Sequence, residues 1–431
     1  VLPARRVAGQ VVVPGDKSVS HRALMLGGIA EGTTDIEGFL ASEDCLATLG
    51  ALRALGVTIE CIEPTRVRVH GVGRHGLRGA AGPLDMGNAG TAMRLFMGLL
   101  SWRPFDSTLV GDASLMKRPM ERAAAPLRAM GAAIETRDGH PPVVIRGGRA
   151  LHAIDFTMPM ASAQVKSAVL LAALGAEGTT RVTEPAPTRD HTERMLSRFG
   201  VELERRGATV ALRGGQQLRG TQIAVPADFS SAAFFIIAGL LGEGPGLVLR
   251  RVGVNPTRTG LLAMLEAMGA DIRLTPVEES GVEPLADIEV RPSRLRGIDV
   301  AEALVPLAID EFPVFFIAAA CAEGETQVRG AEELRVKESD RLAVMADGLE
   351  ALGVEHELLA DGMRILGRAD GPAFAAGRVH SHGDHRIAMA FAVASLRAAG
   401  PIEIDDTANV ATSFPGFASL ARSIGLRIEE S

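Results

Sequence analysis

Apolar and polar positions along the chain follow a pattern that keeps returning. Val19, Ala23, Leu26 and Ala30 stand at i, i+4, i+7 and i+11, which predicts a helix with one buried face starting near Lys17 and Ser18. Pro14 and Gly15 form a turn ahead of it. The same succession recurs in six stretches: polar head, apolar helix, turn, short β-like run, second helix, closing apolar-Gly step. The stretches are 14–56, 86–131, 159–200, 226–269, 309–353 and 383–425, and each head precedes its closing glycine by 41 to 45 residues. β-rich segments such as Val67-Arg68-Val69-His70 and Pro142-Val143-Val144-Ile145 lie between them. Each unit therefore reads as β-α-β-α-β-β, an α+β module, and the closing glycine suits a helix C-cap.

A chain of 431 residues exceeds what one core usually supports, so six modules imply two domains of three. Val13-Pro14-Gly15-Asp16 and Val225-Pro226-Ala227-Asp228 are near copies and read as paired hinges. On that reading, residues 14–226 form one domain, while 1–13 and 227–431 form the other.

Composition removes several function classes. No run of about 18 uncharged apolar residues suggests a membrane span, and residues 1–9 hold no apolar core of a secretory signal. Cys45, Cys61 and Cys321 have neither metal-ligand nor disulfide spacing, which fits a reducing cytoplasm. A net charge of −7, no tyrosine and a single tryptophan, Trp102, argue against nucleic acid. No long exposed apolar stripe demands a partner, so a monomer is expected.

The heads carry more polarity than helix formation needs. Lys17, Ser18 and Arg22 at a helix start suit an anion, since free N–H groups, the helix dipole and the cations add together; an N-cap with solvated charges is the alternative. Asn88-Ala89-Gly90-Thr91 sets small residues at another start, where bare N–H groups meet a ligand oxygen or simply close a tight turn. Arg118 is able to fork onto a carboxylate or phosphate. Ser162-Ala163-Gln164 offers hydroxyl and amide, though capping alone accounts for Ser162. Asp310-Glu311 sets two acids beside apolar residues, as dipole partners or as a general base. Residues 335–341 form the densest charge cluster, either a solvated face or a site. The histidines of 380–385 lack a matching ligand cluster, and Arg386 would repel a cation, so no metal is expected.

Taken together, Pro14-Gly15-Asp16-Lys17-Ser18, Asn88-Ala89-Gly90-Thr91, Leu334-Arg335-Val336-Lys337-Glu338-Ser339-Asp340-Arg341 and Gly383-Asp384-His385-Arg386 resemble the 5-enolpyruvylshikimate-3-phosphate synthase family over nearly the whole chain. The resemblance implies a two-domain enolpyruvyl-transferase-like fold with three units per domain, joined by a double crossover and closing over the substrates. It implies transfer of the enolpyruvyl group of phosphoenolpyruvate to the 5-hydroxyl of shikimate 3-phosphate by addition and elimination, with no cofactor and no metal. By the same resemblance, Asp310 and Glu338 are the acid-base pair and Lys17 joins them in contact with both substrates. Ser18, Arg22, Ser162, Ala163, Gln164, Arg189, Asp310 and Lys337 bind shikimate 3-phosphate. Asn88, Gly90, Arg118, Gln164, Arg341, His385 and Arg386 bind phosphoenolpyruvate.

Two positions depart from the family's commoner pattern. Ala163 replaces a serine, so a backbone N–H must serve instead, and Thr412 stands where many members carry a lysine. Glycine at position 90, where some resistant members carry alanine, leaves room for the inhibitor glyphosate, and sensitivity is expected. The related UDP-N-acetylglucosamine enolpyruvyl transferases commonly use a cysteine in the second unit's loop, and residues 111–119 contain none. A non-catalytic anion-binding scaffold would not need Asp310 and Glu338 together. The RNA 3′-phosphate cyclases have a related module but suit an acidic, aromatic-poor chain badly.

Overall fold

Six helices begin at the six heads in the computed structural model, which describes residues 1–278 and 281–430. They are α1 (Lys17–Ile29), α2 (Gly90–Leu100), α3 (Ala163–Ala173), α4 (Phe229–Leu241), α5 (Phe312–Ala320) and α6 (His385–Ala394). Four have a side chain that caps the start: Asp16, Ser162, Asp228 and Asp384 each accept a bond from a backbone N–H of the first turn. Ala89 and Glu311, which precede α2 and α5, make no such bond.

The single buried face expected for α1 does not describe it. Every residue from Val19 to Ile29 is buried, including Ser20, His21 and Arg22. The helix is enclosed: Gly27 packs on Thr34 of the following strand and Gly28 on Leu52 of the outer helix Glu43–Ala54. Its polar groups find partners inside. Ser20 Oγ accepts from Leu40 N at 3.1 Å and His21 Nδ1 lies 2.7 Å from Thr48 Oγ1. In α4 and α5 burial is complete, as their almost uninterrupted apolar sequences require. Each buried Phe, Ile or Leu there contributes about 1.5–3 kcal/mol.

The second helix of every repeat ends identically. Gly56, Gly131, Gly200, Gly269, Gly353 and Gly425 all have φ between 73° and 116°. Each N–H reaches the carbonyl three residues back at 2.9–3.1 Å, and the next residue's N–H reaches five back. This is one Schellman cap, used six times.

Each repeat's strands share one topology. In repeat two, Leu84–Asp85 runs parallel to Ser107–Val110, and His140–Arg146 is antiparallel to both Ser107–Val110 and Ala133–Arg137. Repeat three matches it with Asp155–Thr157, Thr179–Thr183, Thr209–Arg213 and Leu203–Arg206. Repeats one and four take their parallel strand from elsewhere in sequence. Gln222–Ala224 pairs with Glu31–Glu37, and Arg6–Val11 pairs with Glu243–Gly253. In repeat five the parallel strand shrinks to two bridges, Arg296 with Glu323 and Asp299 with Gln327, and repeat six pairs Gly377–His380 with Ile402–Asp405 in parallel, with isolated bridges at Phe374–Ala398 and Leu2–Arg427.

The chain divides into two compact units, one from Gly15–Val225 together with residues 281–283, the other from Val1–Pro14 and nearly everything after Pro226. Each has its own apolar core. The two long segments meet at Pro14 to Gly15 and at Val225 to Pro226, and the short stretch 281–283 is a further excursion out of the second unit. Asp228 N bonds Pro14 O at 2.9 Å on one side of these crossings. On the other, a Cβ at Gly15 would lie 1.9 Å from Gly38 O, so only glycine fits. Ser431, the end of the second expected domain, lies outside the described residues.

Candidate active site

In the unit formed by residues 15–225, the starts of α1, α2 and α3 gather cations. Lys17 Nζ lies 2.9 Å from Asp44 Oδ2, in the outer helix of the first repeat. Arg22, one turn further, is almost wholly buried; its Nε donates to Thr192 Oγ1 at 2.7 Å, NH2 to Ser167 Oγ at 2.8 Å and NH1 to Ser18 O at 2.9 Å. Burial, then the like charge of Arg189, pushes the Arg22 guanidinium down to about 10. Two guanidinium groups close enough to repel each other mark a place where an anion is favoured. Ser162 Oγ accepts from Val165 N at 3.4 Å, so it caps α3 and still has its own proton to donate. Ala163 is the first residue of α3.

A second cluster surrounds Gly90. Arg118 NH2 donates to Asn88 Oδ1 at 2.5 Å and NH1 to Asn88 O at 3.2 Å. A Cβ at Gly90 would stand 3.1 Å from Arg118 NH1 and 3.2 Å from Arg94 NH1. Two guanidinium groups thus converge on a backbone with no side chain of its own. Gln164 is tied into this cluster, accepting from Arg94 NH1 at 2.7 Å and donating to Thr91 Oγ1 at 2.9 Å. Arg94 escaped the sequence reading. Its signal was present: it follows Gly90 by four residues as Arg22 follows Ser18, and both turn NH1 back toward that carbonyl.

In the other unit, Arg341 organises the acids. It is 1% exposed and meets three carboxylates: Asp384 Oδ2 at 2.8 Å from Nε, Glu338 Oε2 at 2.6 Å from NH2 and Asp310 Oδ1 at 3.4 Å from NH1. Burial opposes its charge, but Asp384, Glu338 and Asp310 outweigh burial and raise its pKa. Lys337 Nζ approaches Asp310 Oδ1 at 3.7 Å and Glu333 at 3.6 Å. Arg386 NH1 donates to the Asp310 carbonyl at 3.0 Å, and His385, buried beside it, opens α6. Among the described residues both side-chain contacts of Arg386 run through NH1, which leaves Nε and NH2 for a ligand.

The sequence points to Glu311 only as the second of two acids, to Asp228 only as part of a hinge and to Asp384 only as part of a motif, and it marks neither Ser230 nor Arg258 as a site residue. Ser230 Oγ donates to Glu311 Oε1 and accepts from Arg258 NH2, and Asp228 Oδ1 lies 3.5 Å from Arg258 NH2. Nothing in the local pattern at Arg258 marks it, because its partners lie about 30 residues before it or about 50 after it.

Chemically, one unit offers paired guanidinium groups for phosphate and carboxylate, and the other offers two carboxylates fixed on a single arginine. The family model for EPSP synthase (3-phosphoshikimate 1-carboxyvinyltransferase) matches residues 1–420. The 3-phosphoshikimate 1-carboxyvinyltransferase of Alkalilimnicola ehrlichii is 59% identical over 429 residues, 99% of this chain and 96% of that one. The enzyme of the same description from Methylococcus capsulatus is 58% identical over 430 residues, covering 100% and 98%. Among solved structures, EPSP synthase from Acinetobacter baumannii superposes with a TM-score of 0.89 at 55% identity, covering 100% of this chain and 98% of that one. The enolpyruvyl transferase NikO from Streptomyces tendae shares the fold, with a TM-score of 0.76 at 18% identity over 98% and 97% of the chains.

Proposed function

The chain belongs to the EPSP synthase family and transfers the enolpyruvyl group of phosphoenolpyruvate to shikimate 3-phosphate, and we propose that Asp310, Glu338 and Lys17 carry that chemistry. The observation that carries the assignment is the bridging of Asp310 and Glu338 by the buried Arg341. Addition to the double bond requires that the 5-hydroxyl lose a proton as its oxygen bonds to C2, and that C3 gain one. Elimination then removes a proton from C3 as the C2–O bond to phosphate breaks. Two carboxylates held apart on one guanidinium suit a group that takes a proton and a group that gives one. Lys17 supplies a cation to both substrates, and either it or Glu338 delivers the proton to C3.

The remaining contacts are those that the family resemblance implies. Arg22 and Ser18 take the shikimate carboxylate; Ser162, the Ala163 N–H and Arg189 take its phosphate, with Gln164 and Lys337 lining the site. Arg118, Arg341 and Arg386, with Asn88, Gly90, Gln164 and His385, hold phosphoenolpyruvate, whose charge grows on the departing phosphate and draws these cations more strongly in the transition state. We further propose that the protein works as a cytoplasmic monomer without nucleic acid; among the described residues no helix is long and apolar enough to cross a membrane.

Phosphate release measured with phosphoenolpyruvate and shikimate 3-phosphate, singly and together, tests this reading. Release is expected only with both, and with Asp310→Ala it should almost vanish. Equal release with a UDP-sugar acceptor would overturn it.

A further inference from the structure

Glu311 occupies the N-cap position of α5 and does not cap it. Its backbone there is αR rather than extended, and Pro313 follows at the second helical position, so this start lacks the geometry of a side-chain cap. The Glu311 carboxylate, 3% exposed, turns instead to the starts of two other helices. Oε1 accepts from Ser230 Oγ in the first turn of α4 and lies 3.9 Å from Arg386 NH1 in the first turn of α6. Arg258, from the loop ahead of the helix Gly260–Ala267, stands 3.9 Å from the same oxygen and donates to Ser230 Oγ. Asp228 shares Arg258, and the neighbouring Asp310 faces Lys337 and Arg341. The charged groups around Glu311 are thus Arg258, Arg386, Asp228 and Asp310. Through Glu311 the three heads of this unit are joined in one network.

The arrangement acts on Arg386. Its NH1 is bonded to the Asp310 carbonyl and drawn to the next residue's carboxylate, so Arg386 and the Asp310 backbone are fixed against each other while Nε and NH2 stay open. An ordinary buried ion pair contributes little net stability, so stability alone does not account for a buried carboxylate shared by Ser230, Arg258 and Arg386. Buried charge clusters of this kind gather where geometry matters to function.

We infer that Glu311, held between Ser230, Arg258 and Arg386, is a positioning residue that holds Arg386 and Asp310 in their reacting arrangement. This rests on the roles proposed for Asp310 and Arg386. Burial raises the Glu311 carboxyl, against the lowering influence of Arg258 and Arg386. Protonation then releases Arg386, so activity is lost as pH falls through the Glu311 titration. Removing Arg258 takes away a lowering influence and moves that loss to higher pH.

The test is kcat and KM for phosphoenolpyruvate across pH in four proteins: wild type, Glu311→Gln, Arg258→Met and the double variant. Glu311→Gln should lower kcat at least about tenfold while KM changes less than about threefold. Arg258→Met should carry the acid limb of kcat/KM upward by about one pH unit, and the double variant should be no worse than Glu311→Gln, because Arg258 acts through Glu311. A merely structural role would lower the melting temperature and leave the acid limb in place, and that result overturns the inference. Should Glu311→Gln fail to fold, Ser230→Ala removes one hydroxyl and should shift the limb in the same direction; an unmoved limb there also overturns it. Asp310→Ala and Arg386→Lys separate the two levels. If they abolish turnover while Glu311→Gln does not alter it, only the inference fails; if they leave turnover intact, the reading beneath it fails as well.

Discussion

Arg341 and Asp384 meet edge to edge inside their unit, with Nε 2.8 Å from Oδ2 and NH2 3.3 Å from Oδ1. Asp384 also caps α6, its Oδ1 accepting from Arg386 N at 2.9 Å. One carboxylate therefore fixes the arginine that bridges Asp310 and Glu338, the acids proposed to move protons, and the start of the helix bearing Arg386. Removing it takes one of three carboxylates from the buried Arg341 and the cap from α6, at a cost of about 1–3 kcal/mol. Asp384→Ala should lose that much in urea unfolding and should release phosphate far more slowly than the folded fraction explains; an unchanged midpoint would contradict this.

Asp310 and Glu338 should behave as proton-transfer groups rather than as binding groups. Each alanine variant is expected to lower kcat by roughly 10²–10⁴ with KM for both substrates within a few-fold. A KM effect with kcat preserved would assign them to binding instead.

Gly90 leaves no slack. An alanine Cβ would sit 3.1–3.2 Å from the nearest nitrogens of Arg118 and Arg94, so both guanidinium groups must give by a few tenths of an ångström. Gly90→Ala should raise KM for phosphoenolpyruvate several-fold, and glyphosate, expected to inhibit the wild type, should be resisted by the variant. Unchanged kinetics in both respects would show that the cluster has room to spare.

Lys166 is completely buried with Glu184 and with Glu193 Oε1, the latter at 2.7 Å. Glu184 Oε2 in turn accepts from Thr188 N at 2.7 Å and Thr188 Oγ1 at 2.8 Å, immediately before Arg189. Lys166→Met leaves two acids unpaired and should cost about 3–5 kcal/mol. It should also raise KM for shikimate 3-phosphate more than KM for phosphoenolpyruvate. Adding Glu193→Gln should return part of the stability, measured by urea melts of the single and double variants.

His21 gives the fold an acid sensitivity. Burial first, then the charges of Lys17 and Arg22, pushes its ring down to about 3. The unfolded ring takes a proton below about pH 6.5 while the folded one does not, so stability is complete above that pH and is lost toward pH 3 at about 1.4 kcal/mol per unit. Between pH 7 and pH 5 the wild type should lose about 2 kcal/mol more than His21→Gln. Equal losses would remove His21 from the account.

Much of this architecture was legible because it repeats. Six heads and six glycines at a constant spacing need no tertiary information, and the structure shows them as helix starts and Schellman caps. The amphipathic reading of α1 went wrong because periodicity reports only the apolar positions. It cannot show that Ser20, His21 and Arg22 are buried as well, each with a partner from a distant segment. Arg258 was illegible, and the partners of Glu311 were, for a similar reason: a charge looks like a solvated charge until the chain brings its counter-charge to it. Arg94 was within reach, since it repeats the offset of Arg22.

The borrowed strands set an order of assembly. Arg6–Val11 is synthesised before any of residues 15–225, yet its partner Glu243–Gly253 follows all of them. At up to about 20 residues per second the ribosome takes at least roughly ten seconds to cross that interval. The unit made from residues 15–225, by contrast, holds its own borrowed strand, Gln222–Ala224, at its far end and can close as soon as that strand emerges. The nascent chain therefore carries a unit complete but for residues 281–283 together with a lone, unpaired strand, and that strand waits for the second half to be made.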